Sequence, residues 1–148
     1  MILDEITRKR TLQELDGEEW GEPTFFSHLV TECHRLRTVP LETMSAEDLR
    51  INIGQNLSLD YLIPLALEQL EVEPWISGDY YEGDLLKNVL SIPVVYWDAN
   101  AKLKRIFERI VTRALAQTAE APPEEIYFYD ENVVRLLQAW TEPAQPIL

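Results

Sequence analysis

The sequence predicts a mainly α-helical fold, a bundle of about six short-to-medium helices, because apolar residues recur at steps of three and four. Nine prolines and five glycines divide the chain into short segments, which also favours helices over long strands. At 148 residues the chain has the length of one domain. We therefore expect a single domain over 1–148, with a polar N-terminal segment at 1–23 and a C-terminal tail at 141–148.

The first two predicted helices lie between residues 24 and 54. Thr24, which follows Pro23, is expected to cap the first of them. Its expected buried face consists of Phe26, Leu29, Val30, Cys33 and Leu36. Ser45 and Asp48 then have the spacing of a capping box, in which each residue binds the backbone of the other. This box predicts a second helix, which Gly54 stops.

Two further helices are predicted in the middle of the chain. The segment 57–72 is rich in apolar residues but contains Pro64, so its helix either begins near residue 62 or kinks at the proline. Gly78 and Gly83 predict positive backbone φ angles in the loop that follows. Asp84 is expected to be the N-cap of the next helix, which begins at Leu85.

The most regular helical period follows Asp98, with its apolar residues on one face. The opposite face of this helix carries Lys102, Arg105, Arg109 and Arg113. A last helix is predicted over 132–140. Two short runs, 92–97 and 126–129, have strand-like composition, and a small β-hairpin is the alternative there.

The charge of the chain limits its partners. The formal net charge is −13, which disfavours nucleic acid and anionic membranes as direct partners and favours a basic protein. Residues 56–98 hold eight acidic residues and one basic residue, Lys87. We expect the basic helix near 102–113 to pack beside this acidic segment and neutralise part of it, leaving an acidic surface exposed.

The residues give no sign of an active site, and we expect no catalytic residue, cofactor or metal. His28, Cys33 and His34 would point in different directions on one helix, so they make a poor metal site. The loop 78–84 resembles half of a phosphate-binding loop but lacks its lysine. With one cysteine, no signal peptide and no long apolar run, the sequence favours a cytoplasmic protein.

Several short motifs follow one another in fixed order between about residues 11 and 92. The stretches are Trp20-Gly21-Glu22-Pro23, Ser27-His28-Leu29-Val30, Cys33-His34-Arg35-Leu36-Arg37, Pro40-Leu41, Glu47-Asp48-Leu49-Arg50-Ile51, Gly54-Gln55, Leu62-Ile63-Pro64-Leu65-Ala66-Leu67 and Gly78-Asp79-Tyr80-Tyr81-Glu82-Gly83-Asp84-Leu85-Leu86. Together they resemble the immunity proteins of bacterial contact-dependent growth inhibition systems. The resemblance implies a cytoplasmic, non-enzymatic inhibitor that binds the C-terminal toxin domain of a cognate effector, often a nuclease, and it supplies no catalytic residues.

A basic toxin domain is thus the expected partner, and the candidate contact residues are exposed acids with two tyrosines among them. They are Glu18, Glu19, Glu22, Glu71, Glu73, Asp79, Tyr80, Tyr81 and Glu82. The tyrosines are candidates for buried anchors in the complex, although at least one is expected to pack in the core. A monomer is assumed. Two alternatives stay open, an acidic adaptor for another basic protein and a small carboxylate-dependent enzyme.

Overall fold

The computed structural model describes residues 3–142. These residues fold into α-helices joined by turns and loops, which confirms the mainly α-helical prediction. The α-helices are α1 (Glu5–Arg8), α2 (Leu12–Asp16), α3 (His28–Arg35), α4 (Ala46–Gly54), α5 (Leu59–Val72), α6 (Asp84–Leu90), α7 (Val94–Ala99), α8 (Ala101–Glu120) and α9 (Glu131–Thr141). Three 3₁₀ turns span Leu36–Thr38, Leu41–Thr43 and Ile126–Phe128. Most of the predicted C-terminal tail, 143–148, lies outside the described residues.

Helices α4, α5, α6, α8 and α9 enclose the core. Helix α5 packs against α4, α6 and α8, and α9 closes the other side against α6 and α8. The fully buried side chains include Leu62 and Leu67 of α5 and Phe107 of α8. Within the described range, no helix is both long enough and apolar enough to span a membrane.

The capping box at the start of α4 is confirmed. The Asp48 amide donates to Ser45 Oγ at 3.1 Å, and the Ser45 amide donates to Asp48 Oδ2 at 3.0 Å. The helix ends at Gly54, as predicted, but not because of a positive φ angle. A Cβ at Gly54 would lie 2.8 Å from Asn88 Nδ2, which donates to the Arg50 carbonyl, so the glycine permits close packing of α6 on α4.

The predicted start of α3 is wrong. Ser27, not Thr24, is the N-cap, with its Oγ accepting from the Val30 amide at 3.1 Å. Phe26 therefore precedes the helix and is 86% exposed, so it does not belong to the buried face. Leu29 is also exposed, whereas Cys33 and Leu36 are buried as expected.

Helix α5 begins at Leu59, earlier than the predicted residue 62. Pro64 lies in its second turn, where it removes the single hydrogen bond to the Asp60 carbonyl. The helix includes this proline because the neighbouring side chains are buried against the core on all sides, from Leu62 to Leu67. Tertiary packing thus outweighs the local preference.

The alternative of a hairpin at the two strand-like runs is wrong. Pro93 has φ −59° and stands as the N-cap of α7, because a proline at a helix start needs no hydrogen bond from its nitrogen. Trp97 of α7 stacks on Phe107 at 5.0 Å between ring centroids, and Trp140 of α9 meets Phe107 edge-on at 4.9 Å. The second run forms the 3₁₀ turn Ile126–Phe128. In the first run, burial of the Trp97 ring therefore decides the local structure.

The predictions for the last two long helices are confirmed. Helix α8 buries one face, with Phe107, Ile110 and Val111 in the core. Helix α9 extends one residue beyond each predicted end. Asp130 caps α9 by accepting from the Asn132 amide at 2.8 Å.

Candidate functional site

The loop between α5 and α6, residues 77–83, is tied to the buried carboxylate of Asp84, and we call it the acidic loop. Asp84 is 3% exposed. Its Oδ1 accepts from the Gly78 amide at 2.6 Å, and its Oδ2 accepts from the amides of Tyr80 and Tyr81 at 3.1 and 3.4 Å. The prediction that Asp84 caps α6 is therefore wrong. It is the first residue of α6, Gly83 is the N-cap, and the carboxylate reaches back into the loop.

Helix α4 supports the acidic loop from the other side. Glu47 Oε1 accepts from the Asp79 amide at 3.0 Å, and Glu47 is held by Arg50 through two hydrogen bonds of 2.5 and 2.7 Å. The Arg50 guanidinium also lies 3.8 Å from Asp84 Oδ2 and 4.3 Å from the Tyr80 ring centroid. One arginine thus links both carboxylates that bind the loop backbone.

The two glycines of the acidic loop serve different purposes. Gly83 has φ +93°, as predicted, and a Cβ there would lie 2.7 Å from Trp75 Cε3. Gly78 does not have a positive φ angle, so that prediction is wrong. Instead, a Cβ at Gly78 would lie 2.7 Å from Glu47 Oε1 and 2.9 Å from Asp84 Oδ2. Gly78 is needed so that both carboxylates can approach the backbone.

Acid should weaken the attachment of the acidic loop to α4. The Arg50 guanidinium that hydrogen-bonds Glu47 holds the pKa of this carboxyl below its ordinary value, and the Asp79 amide lowers it further. A lowered folded-state pKa stabilises the fold above the unfolded pKa of about 4.3, and that contribution is lost as the pH falls through the folded value.

Glu47→Gln should therefore lower the free energy of unfolding by roughly 2 kcal/mol at neutral pH, because charged hydrogen bonds are lost. The difference from the wild type should shrink when unfolding is measured below about pH 4. Glu42→Gln is the control, since Glu42 is exposed and forms no ion pair with another described residue. A wild-type advantage that stays constant with pH would contradict this assignment.

The structure brings part of the predicted contact set together on the acidic loop. Asp79, Tyr80 and Glu82 are exposed, and Tyr80 is 69% exposed. Tyr81 is partly buried and packs on the core, which confirms the expectation that at least one of the two tyrosines packs in the core. Among the described residues, none of the seven candidate carboxylates takes part in an ion pair. Their charge is therefore available to a partner.

Glu73 and Glu82 meet at a cleft beside the acidic loop, which we call the Tyr129 cleft. Its volume is about 410 Å³, and Glu73, Trp75, Glu82, Gln117 and Tyr129 contribute to its walls. Burial raises the pKa of the Tyr129 phenol, and the carboxylates of Glu125, Glu73 and Glu82 raise it further. Tyr129 was absent from the predicted set, because only the tertiary fold places it beside residues far away in the sequence.

The other predicted acids lie apart from this cluster. Arg37, only 3% exposed, binds the Asp16 carboxylate and donates to the Glu18 carbonyl at 2.9 Å. These bonds hold the start of the segment that carries Glu18, Glu19 and Glu22 against the 3₁₀ turn Leu36–Thr38. No hydrogen bond or ion pair between described side chains connects this segment to the acidic loop. The predicted contact residues therefore form separate groups.

The basic face of α8 neutralises little of the acidic segment. Helix α8 packs on α5, as expected, and Arg113 reaches the end of α5. There it donates to the backbone carbonyls of Glu71 and Val72 and forms no ion pair with the Glu71 carboxylate or any other described acid. Arg105 and Arg109 are exposed and have no ion-pair partner within the described part of the chain. In the middle segment, Glu68 pairs with Arg8 and Asp84 with Arg50, whereas the other six acids form no ion pair with a described residue.

The residues considered for metal binding do not converge. Cys33 is buried, and burial raises the pKa of its thiol, so it is a poor ligand and nucleophile. His34 lies on another side, where its Nδ1 is 3.0 Å from the Gly21 carbonyl oxygen. Across residues 3–142, no three side chains of His, Cys, Asp or Glu are grouped as a metal site would require.

Comparison with known proteins identifies one family. Residues 14–107, more than half of the chain, match the family model of the CDI immunity proteins, where CDI is contact-dependent growth inhibition. The matched region contains the acidic loop and its supports on α4, whereas Gln117 and Tyr129 lie beyond it. No curated protein matches the chain.

Proposed function

Because the chain belongs to the family of CDI immunity proteins, which neutralise CDI toxins, we propose that it binds the C-terminal toxin domain of one cognate effector and blocks it. The encounter takes place in the cytoplasm, where the toxin acts after its delivery by a neighbouring cell. One copy of the chain binds one toxin domain. The chain inhibits by covering a surface and carries out no reaction of its own.

The observation that carries this proposal is the uncompensated charge around a firmly held loop. Asp79 and Glu82 are exposed and form no ion pair within residues 3–142, while the loop backbone is fixed by Asp84 and Glu47. A fixed loop loses little conformational entropy on binding, which favours affinity. A charged and ordered surface of this kind is suited to a partner of opposite charge.

We further propose that the toxin domain is a nuclease. A nuclease must attract the phosphates of its substrate, so the face around its active site is basic. An acidic inhibitor is complementary to such a face and competes with the nucleic acid for it. The net charge of −13 and the exposed acids beside the acidic loop support this pairing.

Co-expression with the toxin domain encoded immediately upstream tests the proposal. Cells that express the toxin alone should stop growing, and cells that also express this chain should grow normally. A toxin from an unrelated CDI system is the control, because it should kill with or without the chain. If a verified active cognate toxin kills equally well while the chain is present and folded, the proposal is wrong.

A further inference from the structure

We propose that the Tyr129 cleft receives an arginine side chain of the toxin domain. This inference rests on the proposed function, since it names the group through which the same surface grips the toxin. Three properties of the cleft carry it: uncompensated acceptors, aromatic walls and apolar surroundings.

The hydrogen-bond acceptors of the cleft are only partly satisfied by donors from the described residues. Glu73 Oε1 accepts from the Trp75 amide at 3.0 Å, which orients the carboxylate, and no described residue donates to its Oε2. Glu82 is exposed, and its carboxylate accepts no hydrogen bond from the described residues. The third group, Gln117, has a buried Oε1 to which no described residue donates. A buried acceptor left unpaired costs about 1–3 kcal/mol, so a bound donor would relieve it.

The negative charge around the cleft favours the binding of a cation. Among the described residues, no lysine or arginine lines it, and burial together with nearby carboxylates raises the pKa of the Tyr129 phenol. The Trp75 indole does not donate a hydrogen bond to these acids, because its Nε1 already donates to the Ala114 carbonyl at 3.2 Å. A positively charged group entering the cleft would meet the carboxylates of Glu73 and Glu82 without a competing cation in the lining.

The aromatic walls favour a guanidinium over an ammonium ion. Trp75 and Tyr129 pack edge to face with ring centroids 4.8 Å apart. Trp75 is only 4% exposed and supports the partly exposed ring of Tyr129. A guanidinium is planar, is weakly hydrated, stacks on an aromatic ring such as that of Tyr129 and offers five donors to several acceptors at once. An ammonium is more strongly hydrated and offers only three donors from one point. The mixture of carboxylate, amide and aromatic groups therefore fits arginine.

Two exposed aromatic residues that neighbour Tyr129 in the sequence can exclude water from such a contact. Tyr127 and Phe128, which precede Tyr129, are 91% and 61% exposed. Strong interface contacts form where a central group is surrounded by apolar contacts that keep water away. These two aromatic residues would pack on the toxin around the arginine, so that the charged pair is formed in a dry setting.

The test compares two double variants that remove equal charge. Glu73→Gln with Glu82→Gln changes the cleft, while Glu5→Gln with Glu42→Gln changes exposed acids that do not line it. The cleft variant should bind the purified toxin domain about 30-fold or more weakly in calorimetric titration, mainly through faster dissociation. The control variant should bind within about 3-fold of the wild type, because exposed charges contribute little. Unfolding curves of both variants should match the wild type.

Arginine is assigned by changing each surface arginine of the toxin to lysine. One such change should weaken binding to the wild type but have little further effect on the cleft variant, as a double-mutant cycle requires for groups in contact. Coupling to a toxin lysine instead would overturn the arginine assignment. Equal binding by the cleft variant and the control would overturn the cleft itself while the proposed function stands. Failure of the wild type to bind would overturn the proposed function.

Discussion

Asp84→Ala is expected to lower the free energy of unfolding by about 3 kcal/mol and to release the acidic loop, because three backbone amides lose one charged acceptor. These amides belong to Gly78, Tyr80 and Tyr81. The loss also leaves Arg50 without one of its two carboxylates. An ordinary N-cap would be worth only about 0.5–2 kcal/mol, so the size of the effect separates the two roles.

Asp79→Ala is the matched control for this change. Asp79 is an exposed acid in the same loop, and its side chain forms no hydrogen bond with the described residues, whereas its amide does. Its removal should leave stability unchanged within about 0.5 kcal/mol. Denaturant unfolding gives the stability, and hydrogen exchange of the Tyr80 and Tyr81 amides should become fast only in Asp84→Ala. Retained protection of these amides would show that Asp84 does not organise the loop.

Asp84→Asn refines the same test. It keeps the shape of the side chain but replaces one acceptor oxygen with a donor that faces backbone N–H groups. We therefore expect a loss of stability close to that of Asp84→Ala. Because the acidic loop carries Asp79, Tyr80 and Glu82, both Asp84 variants should also bind the toxin more weakly than Asp79→Ala does.

Local signals predicted the features that are decided by neighbours in the sequence. The capping box of α4 depends on Ser45 and Asp48 alone, and it forms as expected. The period of α8 needs only the alternation of polar and apolar residues. The strand-like composition of 92–97 favours a strand, but most of the run is helical because Trp97 stacks against Phe107, which belongs to the next helix. Composition alone does not contain that contact.

The candidate site shows the same division between local and distant contacts. The sequence indicated an acidic turn followed by a helix, but an aspartate before a helix can bind amides on either side of it. Glu47 and Arg50 decide the geometry by approaching from α4. Tyr129 and Gln117 reach the cleft only because α8 and the turn after it fold back over residues 73–82. These partners are separated by too much chain for a motif to reveal them.

Association with the toxin is expected to slow by about 10- to 100-fold between low and high salt, because opposite charges steer the two proteins together. The reach of these charges falls from about 30 Å at 0.01 M salt to about 3 Å at 1 M. Dissociation should change less, since contacts inside the docked complex are shielded from ions. The prediction depends on exposed acids that form no ion pair with a described residue, among them Glu71 and Asp79.

Two variants with equal net charge separate local from total charge in this experiment. Glu71→Gln with Asp79→Asn removes one charge from the end of α5 and one from the acidic loop, and neither residue lines the Tyr129 cleft. Glu5→Gln with Glu42→Gln removes the same charge elsewhere. Only the first should reduce the association rate at low salt, and the two should converge at high salt. Equal rates for both variants would show that total charge, and not its position, sets the encounter.

The most direct test of the account is the stopped-flow association rate of the wild-type chain with its cognate toxin domain, measured across this salt range. The central claim is that the uncompensated acids around the acidic loop meet a basic surface of the toxin. That claim predicts a steep decline of the association rate with salt, which the Glu71→Gln, Asp79→Asn variant flattens. An association rate that does not change with salt would contradict it and would assign the net charge of −13 to solubility alone.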